Sequence, residues 1–343
     1  MQDVADVVGV SKMAVSYVLN GKNKVSSATR EAVLAAVQKL DFEMNPHAQR
    51  LANGHCTDTV GLIALWFDYG VASNKIRHIQ NILNEQGFNV PLYGMGLIGR
   101  HDGDVQAAAV ARVRRQKQRA LVCAPAGLGP KALAELQRYQ EEGGVLVCYD
   151  HPITLDCDHV LFDREDNTYR ATRHLLELGH RRVGIGIHGS MRGAQERFQG
   201  YRRALREFGA ESRDAWVFEG QENIDYSEGG FNIAAQYLSL KERPSALCII
   251  NDYAALSFMA TVERAGLKCP QNVSVVGHDD HPLSRHYPVP LTTVSHPAQL
   301  IAQHVTQLLV SRINGEHQGP FRQIVVQSEL IVRSSTAKPA AVS

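Results

Sequence analysis

The sequence predicts an α/β protein in which a core of two parallel-sheet lobes follows a small all-α head. Residues 1–44 show the helical spacing of apolar side chains and contain no run that indicates a strand. Residues 60–335 alternate short apolar runs with amphipathic stretches, a pattern typical of a mainly parallel sheet. This second part is longer than one compact α/β unit, so we expect two similar lobes.

The composition is that of an ordinary globular protein, with 44% hydrophobic and 21% charged residues in a chain of 343. Lys and Arg number 36 against 35 Asp and Glu, so the overall charge does not indicate a class of partner. The sequence contains neither an apolar run of about eighteen residues nor a secretory signal pattern, so we expect a cytoplasmic protein with no membrane partner. Six scattered cysteines without Cys-x-x-Cys spacing predict free buried thiols and no metal site.

Two short helices separated by a glycine turn are predicted at the start of the chain. The first presents Val4, Ala5 and Val8 as an apolar stripe and ends at Gly9. Ser11 is a suitable N-cap for the second helix, which directs four side chains outward: Lys12, Met13, Ser16 and Tyr17. This is the helix-turn-helix arrangement, whose second helix enters the major groove of DNA. Taken alone, the pattern also fits any small helical hairpin.

A hinge segment is predicted beyond a third helix, whose core face would be Val33, Val37 and Leu40. Asn45 as N-cap, Pro46 at the first helical position and Gly54 beyond the end define one or two helical turns. A helix this short is mostly unfolded in water, so it needs a partner in order to form.

With these motifs the chain resembles the lactose-repressor (LacI/GalR) family of bacterial transcription regulators, from Asp3 to about Arg333. The matching segments include Asp3-Val4-Ala5, Gly9-Val10-Ser11, Val18-Leu19-Asn20, Asn45 with Ala48 and Leu51, Leu178-Gly179-His180, Gly200-Tyr201, Asn251-Asp252, Val275-Val276-Gly277-His278-Asp279 and Pro290-Leu291-Thr292-Thr293. The resemblance implies a periplasmic-binding-protein-like core behind the helix-turn-helix head. It also implies a homodimer that binds a pseudo-palindromic double-stranded DNA operator.

In such a dimer, two recognition helices read major-groove half-sites, and two hinge helices pair in the minor groove. The residue that matches Leu51 is then a wedge between base steps. The implied DNA-binding residues are Ser11, Lys12, Met13, Ser16, Tyr17, Asn20, Asn45, His47, Ala48 and Leu51. This chain departs from the family pattern at Tyr17, where members often carry Arg, and at Gln49, which separates Ala48 from Arg50. Charges over residues 1–54 nearly cancel, so we expect a modest non-specific phosphate contribution.

Polar residues at strand ends predict a ligand pocket in the crevice between the lobes. Asp150, Asn251 and Asp279 each follow an apolar run, and Arg197 lies on the helix after another. Each alone also fits a helix cap or a surface position. The family resemblance places all four where related repressors contact their effector.

The ligand that this pocket predicts is a sugar or a sugar derivative, because Asp, Asn and Arg side chains suit vicinal hydroxyls. Four aromatic residues are candidates for stacking on a sugar ring: Trp66, Phe67, Tyr69 and, with weaker support, Tyr226. A purine is the alternative effector, since the family includes a purine-responsive member. We expect no cofactor.

The predicted divisions are a head over 1–44, a hinge over 45–58, an N-terminal lobe of 59–160 plus 293–323, a C-terminal lobe of 161–292 plus 324–335, and a flexible tail over 336–343. The predicted function is an effector-responsive DNA-binding regulator, a repressor of an operon for the utilisation of a sugar or sugar derivative. A periplasmic-type solute-binding protein without DNA function is the alternative, and the helical head argues against it. An enzyme is not expected: the two G-x-G-x-x-G matches, Gly94–Gly99 and Gly184–Gly189, do not follow a first strand.

Overall fold

The structure, a computed structural model, describes residues 1–19, 24–40, 42, 56–64, 70–94, 103–188, 192–220 and 226–340. The chain forms two compact units, Met1–Thr57 and Asp58–Ser343. In the described residues no helix combines the length and the apolar character that crossing a membrane requires.

The head contains three helices: α1 (Gln2–Val8), α2 (Lys12–Leu19) and α3 (Ser27–Lys39). They enclose a small apolar core of Val4, Ala5, Val15, Val18, Val33 and Ala36. The turn after α1 places Gly9 at φ 73°, a left-handed conformation that favours glycine. Leu40, expected in this core, is 41% exposed because it lies beyond the last turn of α3, and Ala36 is buried instead.

The N-terminal lobe is a six-stranded sheet in the order β11-β5-β4-β3-β1-β2. Its strands are β1 (Cys56–Ala64), β2 (Leu92–Gly94), β3 (Gln118–Cys123), β4 (Val145–Asp150), β5 (Asp158–Phe162) and β11 (Gln323–Val326). One face packs on α4 (Gly70–Glu85) and α12 (Ala298–Ile313). The other face packs on α5 (Gly103–Arg115) and α6 (Pro130–Glu141).

The C-terminal lobe repeats this plan in the strand order β12-β10-β9-β8-β6-β7. Its strands are β6 (Val183–His188), β7 (Val217–Gly220), β8 (Ala246–Ile249), β9 (Ser274–Asp279), β10 (Thr292–Ser295) and β12 (Leu330–Ile331), the last of them antiparallel to β10. Helices α7 (Arg164–Glu177) and α8 (Arg192–Glu207) cover one face, and α9 (Tyr226–Ser239) and α10 (Asp252–Arg264) cover the other. A 3-10 turn (Asp214–Trp216) and the short α11 (Pro282–His286) complete the lobe. The predicted α/β class with two parallel-sheet lobes is thus confirmed.

Three connections join the lobes, and they lie a few residues from the predicted boundaries. Strand β10 pairs with β9, so the second crossing follows Ser295 and the stretch from 293 does not belong to the N-terminal lobe. Strand β11 pairs with β5, so the N-terminal lobe extends to Val326 and not to 323. An apolar run identifies a strand but does not specify which sheet it joins, because strand pairing depends on tertiary packing.

The segment 336–340 is tied to the C-terminal lobe, and the prediction of a flexible tail there is wrong. Ser335 Oγ accepts a hydrogen bond from Thr292 N at 2.8 Å and donates one to Val275 O at 2.6 Å. Farther along, His180 Nε2 donates to Ala337 O at 2.9 Å. The small polar composition suggested fraying, but these residues bond across the sheet.

Candidate functional site

The outer face of α2 carries the described part of the predicted DNA-binding set. Lys12 and Met13 are exposed, with Met13 62% accessible, whereas Ser16 and Tyr17 are half-buried. Ser11 Oγ accepts a hydrogen bond from Ala14 N at 3.2 Å, so it caps the start of this helix. Five predicted residues lie outside the described part of the chain: Asn20, Asn45, His47, Ala48 and Leu51.

The predicted ligand residues Asp150 and Asp279 approach one another through a histidine that the sequence did not single out. His296 follows β10 on the second crossing between the lobes. Its Nε2 atom lies 3.9 Å from Asp150 Oδ1, and its Nδ1 atom lies 3.7 Å from Asp279 Oδ1. The carboxyl ends of β4 and β9 therefore meet around one imidazole.

Both aspartates have left-handed backbone conformations, with φ 69° at Asp150 and φ 107° at Asp279. Such conformations cost about 1–3 kcal/mol each and cluster at ligand-binding sites. The positive φ changes the direction of the backbone at the end of each of these two strands.

Lys75 and Arg164 are two buried cations of this site that the sequence analysis missed. Lys75 on α4 is 4% exposed and forms an ion pair with the Asp150 carboxylate. Arg164, the first residue of α7, donates from Nη1 to Asp150 O at 2.7 Å and from Nη2 to His151 Nε2 at 3.1 Å. A lysine beside the apolar stripe of α4, next to Ile76, was the only sequence signal for this arrangement.

Arg197 is held near the same centre by the close packing of α8 on α7. At Gly200 a Cβ would lie 2.0 Å from Glu165 O, so only glycine permits this helix approach. The positive charge of Arg197 acts on His151, His278 and His296.

Burial keeps the site histidines neutral. Burial first, with Arg164 next, lowers the pKa of His151 to about 3, and burial with Arg197 lowers the pKa of His278 to about 3. Burial and then Lys75 hold the pKa of His296 well below its usual value. Burial would raise the pKa of Asp150, but Lys75 and the other nearby cations outweigh it and lower that pKa, so the carboxylate is charged.

Asn251 and Asp252 follow β8 in the C-terminal lobe, where the sequence predicted one side of the crevice. Asn251 is 3% exposed, and its Oδ1 accepts from Ala254 N at 2.9 Å, which is the helix-cap role that the sequence left open. Asp252 accepts hydrogen bonds from His281 N at 2.8 Å and from Thr293 Oγ1 at 2.6 Å. Burial and the nearby charge of Asp279 raise the pKa of Asp252 to about 8.

Three buried polar atoms around the crevice have no hydrogen-bond partner among the described residues: Asp150 Oδ1, His278 Nε2 and His296 Nε2. Buried polar atoms are nearly always satisfied in native proteins, and leaving one unsatisfied costs about 1–3 kcal/mol. Together they suit a small ligand with several hydrogen-bonding groups. Phe162 lies beside them, with its ring centroid 4.2 Å from that of His296, and offers an apolar surface.

The aromatic side chains proposed from the sequence cannot be compared with this arrangement. Trp66, Phe67 and Tyr69 lie outside the described residues. Tyr226 begins α9, but its side chain lies outside the described part of the structure. Their stacking role stays a prediction.

The comparison with family models matches both parts of the chain. Residues 1–45 match "Bacterial regulatory proteins, lacI family", and residues 172–336 match "Periplasmic binding protein-like domain". The HTH-type transcriptional repressor PurR of Aliivibrio salmonicida (strain LFI1238) is 28% identical over 98% of this chain and 99% of its own length. The PurR repressor of Vibrio campbellii is also 28% identical, over 98% of each chain.

Solved structures of regulators match nearly the full length of the chain. The lac repressor dimer bound to operator and the anti-inducer ONPF has a TM-score of 0.81 and 25% identity, over 98% of each chain. The transcriptional regulator CelR in complex with cellobiose has a TM-score of 0.69 and 27% identity, over 97% of this chain and 98% of its own. With a lacI-type helix-turn-helix head joined to a two-lobed core of this kind, the chain belongs to the lacI family of DNA-binding bacterial regulatory proteins.

Proposed function

We propose that this protein is an effector-responsive transcriptional repressor that binds a pseudo-palindromic operator as a cytoplasmic homodimer. The observation that carries the proposal is the approach of Asp150 and Asp279, from different lobes, to opposite nitrogens of His296. A ligand that bonds to these groups contacts both lobes at once. It therefore favours one angle of closure over others, because its affinity differs between open and closed forms.

The three lobe connections are the natural hinge for that closure. His296 lies on one of them, directly between β10 and α12. In a lacI-type dimer, closure would displace the N-terminal lobes relative to each other and change the pairing of the hinge helices, and with it the insertion of Leu51. Coupling of this kind is typically about 1–3 kcal/mol, equivalent to about a 5–150-fold change in operator affinity.

For the effector we propose a sugar or a sugar derivative. Asp150 Oδ1 has no hydrogen-bond partner among the described residues, and the imidazoles of His278 and His296 are neutral. Such a combination suits hydroxyl groups, which both donate and accept hydrogen bonds. Arg197 and Asn251 remain the proposed partners on the C-terminal side, with Asp279 between the lobes.

A purine is the second candidate, because the relatives matched along their whole length carry the name PurR. A nucleobase would present ring nitrogens to the same imidazoles and its face to Phe162. The two ligand classes differ in what they require of the site: a purine needs the aromatic face, whereas a sugar needs several carboxylate and amide contacts.

A gel-shift experiment with a pool of genomic fragments tests the proposal. We expect the full-length protein to select fragments with two inverted half-sites, and one member of a panel of sugars and purines to change their affinity. Selection of no fragment would contradict the repressor function. Selection without a response to any panel member would contradict the proposed effector classes. Sedimentation should give a dimer, the assembly of the lac repressor structure that this chain matches along 98% of its length.

A further inference from the structure

Three cysteines and a histidine converge inside the N-terminal lobe, on the sheet face covered by α5 and α6. Cys123 on β3 pairs in register with Cys148 on β4, and Cys148 pairs with His159 on β5. Paired residues of neighbouring parallel strands project from the same face, so these side chains form a row. Cys157 lies two residues before His159 and therefore faces the same way.

The separations within this cluster suit a metal ion. One ligand atom each from Cys148, Cys157 and His159 lies within 4.8 Å of the others, and Cys157 Sγ is 3.7 Å from His159 Nε2. In a tetrahedral zinc site, bonds of about 2.3 Å to sulfur and 2.0–2.1 Å to nitrogen put neighbouring ligand atoms about 3.5–3.8 Å apart. Cys123 lies beside Cys148 on the neighbouring strand but is not one of the three described residues whose ligand atoms approach within 4.8 Å, so a zinc ion here would have three protein ligands and one position open to water.

The histidine has the tautomer that such a role needs. His159 Nδ1 lies 2.9 Å from Cys157 O, so Nδ1–H donates to this carbonyl and Nε2 keeps its lone pair; Cys157 Sγ lies beside the ring, 3.7 Å from Nε2 and 3.9 Å from Nδ1. Metal-binding histidines almost always donate their other ring N–H in this way, which fixes the tautomer and the ring orientation.

The surroundings favour a closed site with one accessible side. Cys123 and Cys148 are fully buried, Cys157 is 3% exposed, and apolar residues of the same core surround them. His159 is half-buried and forms the solvent side of the cluster. Two thiolates and an imidazole select Zn²⁺ over Mg²⁺ or Ca²⁺, which prefer oxygen ligands.

We propose that Cys148, Cys157 and His159 bind one zinc ion, with a water molecule in the fourth position. The thiols lose their protons to solvent as the metal binds. The site goes beyond the repressor function and does not depend on it. It joins β4 to the start of β5, and Cys148 lies two residues before Asp150 on β4.

Zinc titration of the full-length protein tests this proposal. Protein stripped of metal under reducing conditions is titrated with zinc against a chromophoric chelator, and cobalt is used as a spectroscopic probe. We expect one zinc per chain and the intense visible bands of tetrahedral thiolate cobalt. Cys157→Ala should weaken zinc binding by about 100-fold or more, since even changes to groups that only orient the ligands cost about 10–100-fold.

The matched control is Cys248→Ala, which removes a buried thiol of the C-terminal lobe that hydrogen-bonds to Thr172. It should leave zinc binding unchanged. If Cys157→Ala does not fold, His159→Gln at the half-buried position takes its place and should lose the tetrahedral cobalt spectrum.

Equal zinc affinity in the parent and in the folded ligand variant would overturn the proposal. So would a reduced parent protein that takes up no zinc. A third result would also overturn it: a Cys148–Cys157 disulfide in the protein as purified, and no zinc binding once that disulfide is reduced. The cluster would then be a site of thiol oxidation.

Discussion

The two lobes share one strand order, although the edge strand β11 is parallel to its neighbour and β12 is antiparallel. In each lobe the equivalent strand, β4 or β9, ends in an aspartate with a left-handed backbone conformation. Their electrostatic surroundings differ. Asp150 is ion-paired with Lys75, and Arg164 bonds to its carbonyl, whereas Asp279 lies close enough to Asp252 to raise the pKa of that carboxyl group. Two cations, Lys75 and Arg164, therefore contact Asp150, whereas Asp279 has a second carboxyl group, that of Asp252, nearby. A ligand with distinct donor and acceptor edges would bind in one orientation.

The largest expected effect comes from the same substitution at these two equivalent positions. Asp150→Asn leaves Lys75 buried without its counter-charge and should lower the free energy of unfolding by about 3–5 kcal/mol. Asp279→Asn keeps an acceptor and removes the repulsion with Asp252, so its cost should stay below about 1 kcal/mol. Asn tolerates the left-handed conformation at both sites. Urea denaturation measures both, and equal losses would refute the asymmetry.

A second prediction concerns signalling across the crevice. Arg197→Ala should abolish the change in operator affinity that the effector causes, a coupling of about 1–3 kcal/mol in the parent. Binding to operator without effector should stay within about twofold, because Arg197 lies on α8 of the core and not in the head. Fluorescence anisotropy with labelled operator measures both quantities. A variant that responds at the parent's effector concentration would show that Arg197 is only structural.

A third prediction concerns the pH dependence of stability, which should differ between an aspartate of the C-terminal lobe and one of the N-terminal lobe. The raised pKa of Asp252, about 8 in the folded chain, means that the native state holds a proton which the unfolded state releases near pH 4. Stability from this group is present below the unfolded value and is lost as pH rises toward 8, with a slope of at most about 1.4 kcal/mol per pH unit. Asp252→Asn should remove that slope.

The control for the pH experiment is Asp158→Asn in the N-terminal lobe. Burial would raise the pKa of Asp158, but hydrogen bonds from Arg312 and Arg322 lower it, so its contribution is lost only as pH falls below the usual aspartate range. Its variant should lose stability at every pH between about 5 and 8 without a change in slope. Chemical denaturation across that range distinguishes the two, and a parallel pH dependence of parent and Asp252→Asn would contradict the protonated state.

The smallest expected effect separates the two interpretations of Asn251. In the C-terminal lobe Asn251 caps α10 through its side chain, whereas the equivalent helix α6 begins at Pro130 after Gly129 and has no such bond. As a cap alone, Asn251→Ala should cost about 1 kcal/mol of stability and Asn251→Gly only a few tenths. Calorimetry with the effector then decides: unchanged affinity in the Gly variant would remove Asn251 from the ligand site.

The sequence predicted the class of fold and the strand-end aspartates because both follow from local patterns. Alternating apolar runs identify parallel strands, and a polar residue that ends such a run lies at the sheet edge. It did not predict the lobe to which β10 and β11 belong, since pairing is a tertiary property. No internal repeat is visible in the sequence, although the two lobes repeat one strand order, because many different apolar residues fill equivalent core positions.

Most of the contacts around Asp150 could not be predicted from the sequence. Lys75, Arg164 and His296 come from three elements far apart in the chain, and the tertiary fold alone brings them to Asp150. The thiol cluster was missed for a similar reason: its members occupy neighbouring strands and lack the short spacing of known metal motifs. Cysteines in register on consecutive predicted strands, such as Cys123 and Cys148, were the signal that could have indicated it.

The hydrogen bonds of Ser335 and Ala337 to the C-terminal sheet have a practical consequence for recombinant work. A truncation after Arg333 would leave Thr292 N and Val275 O without their side-chain partner and His180 without the Ala337 carbonyl. Affinity tags and fluorescent fusions therefore belong beyond Ala340, where they leave these bonds intact. A shortened chain designed to help crystallisation would instead yield a less stable effector domain with altered melting behaviour.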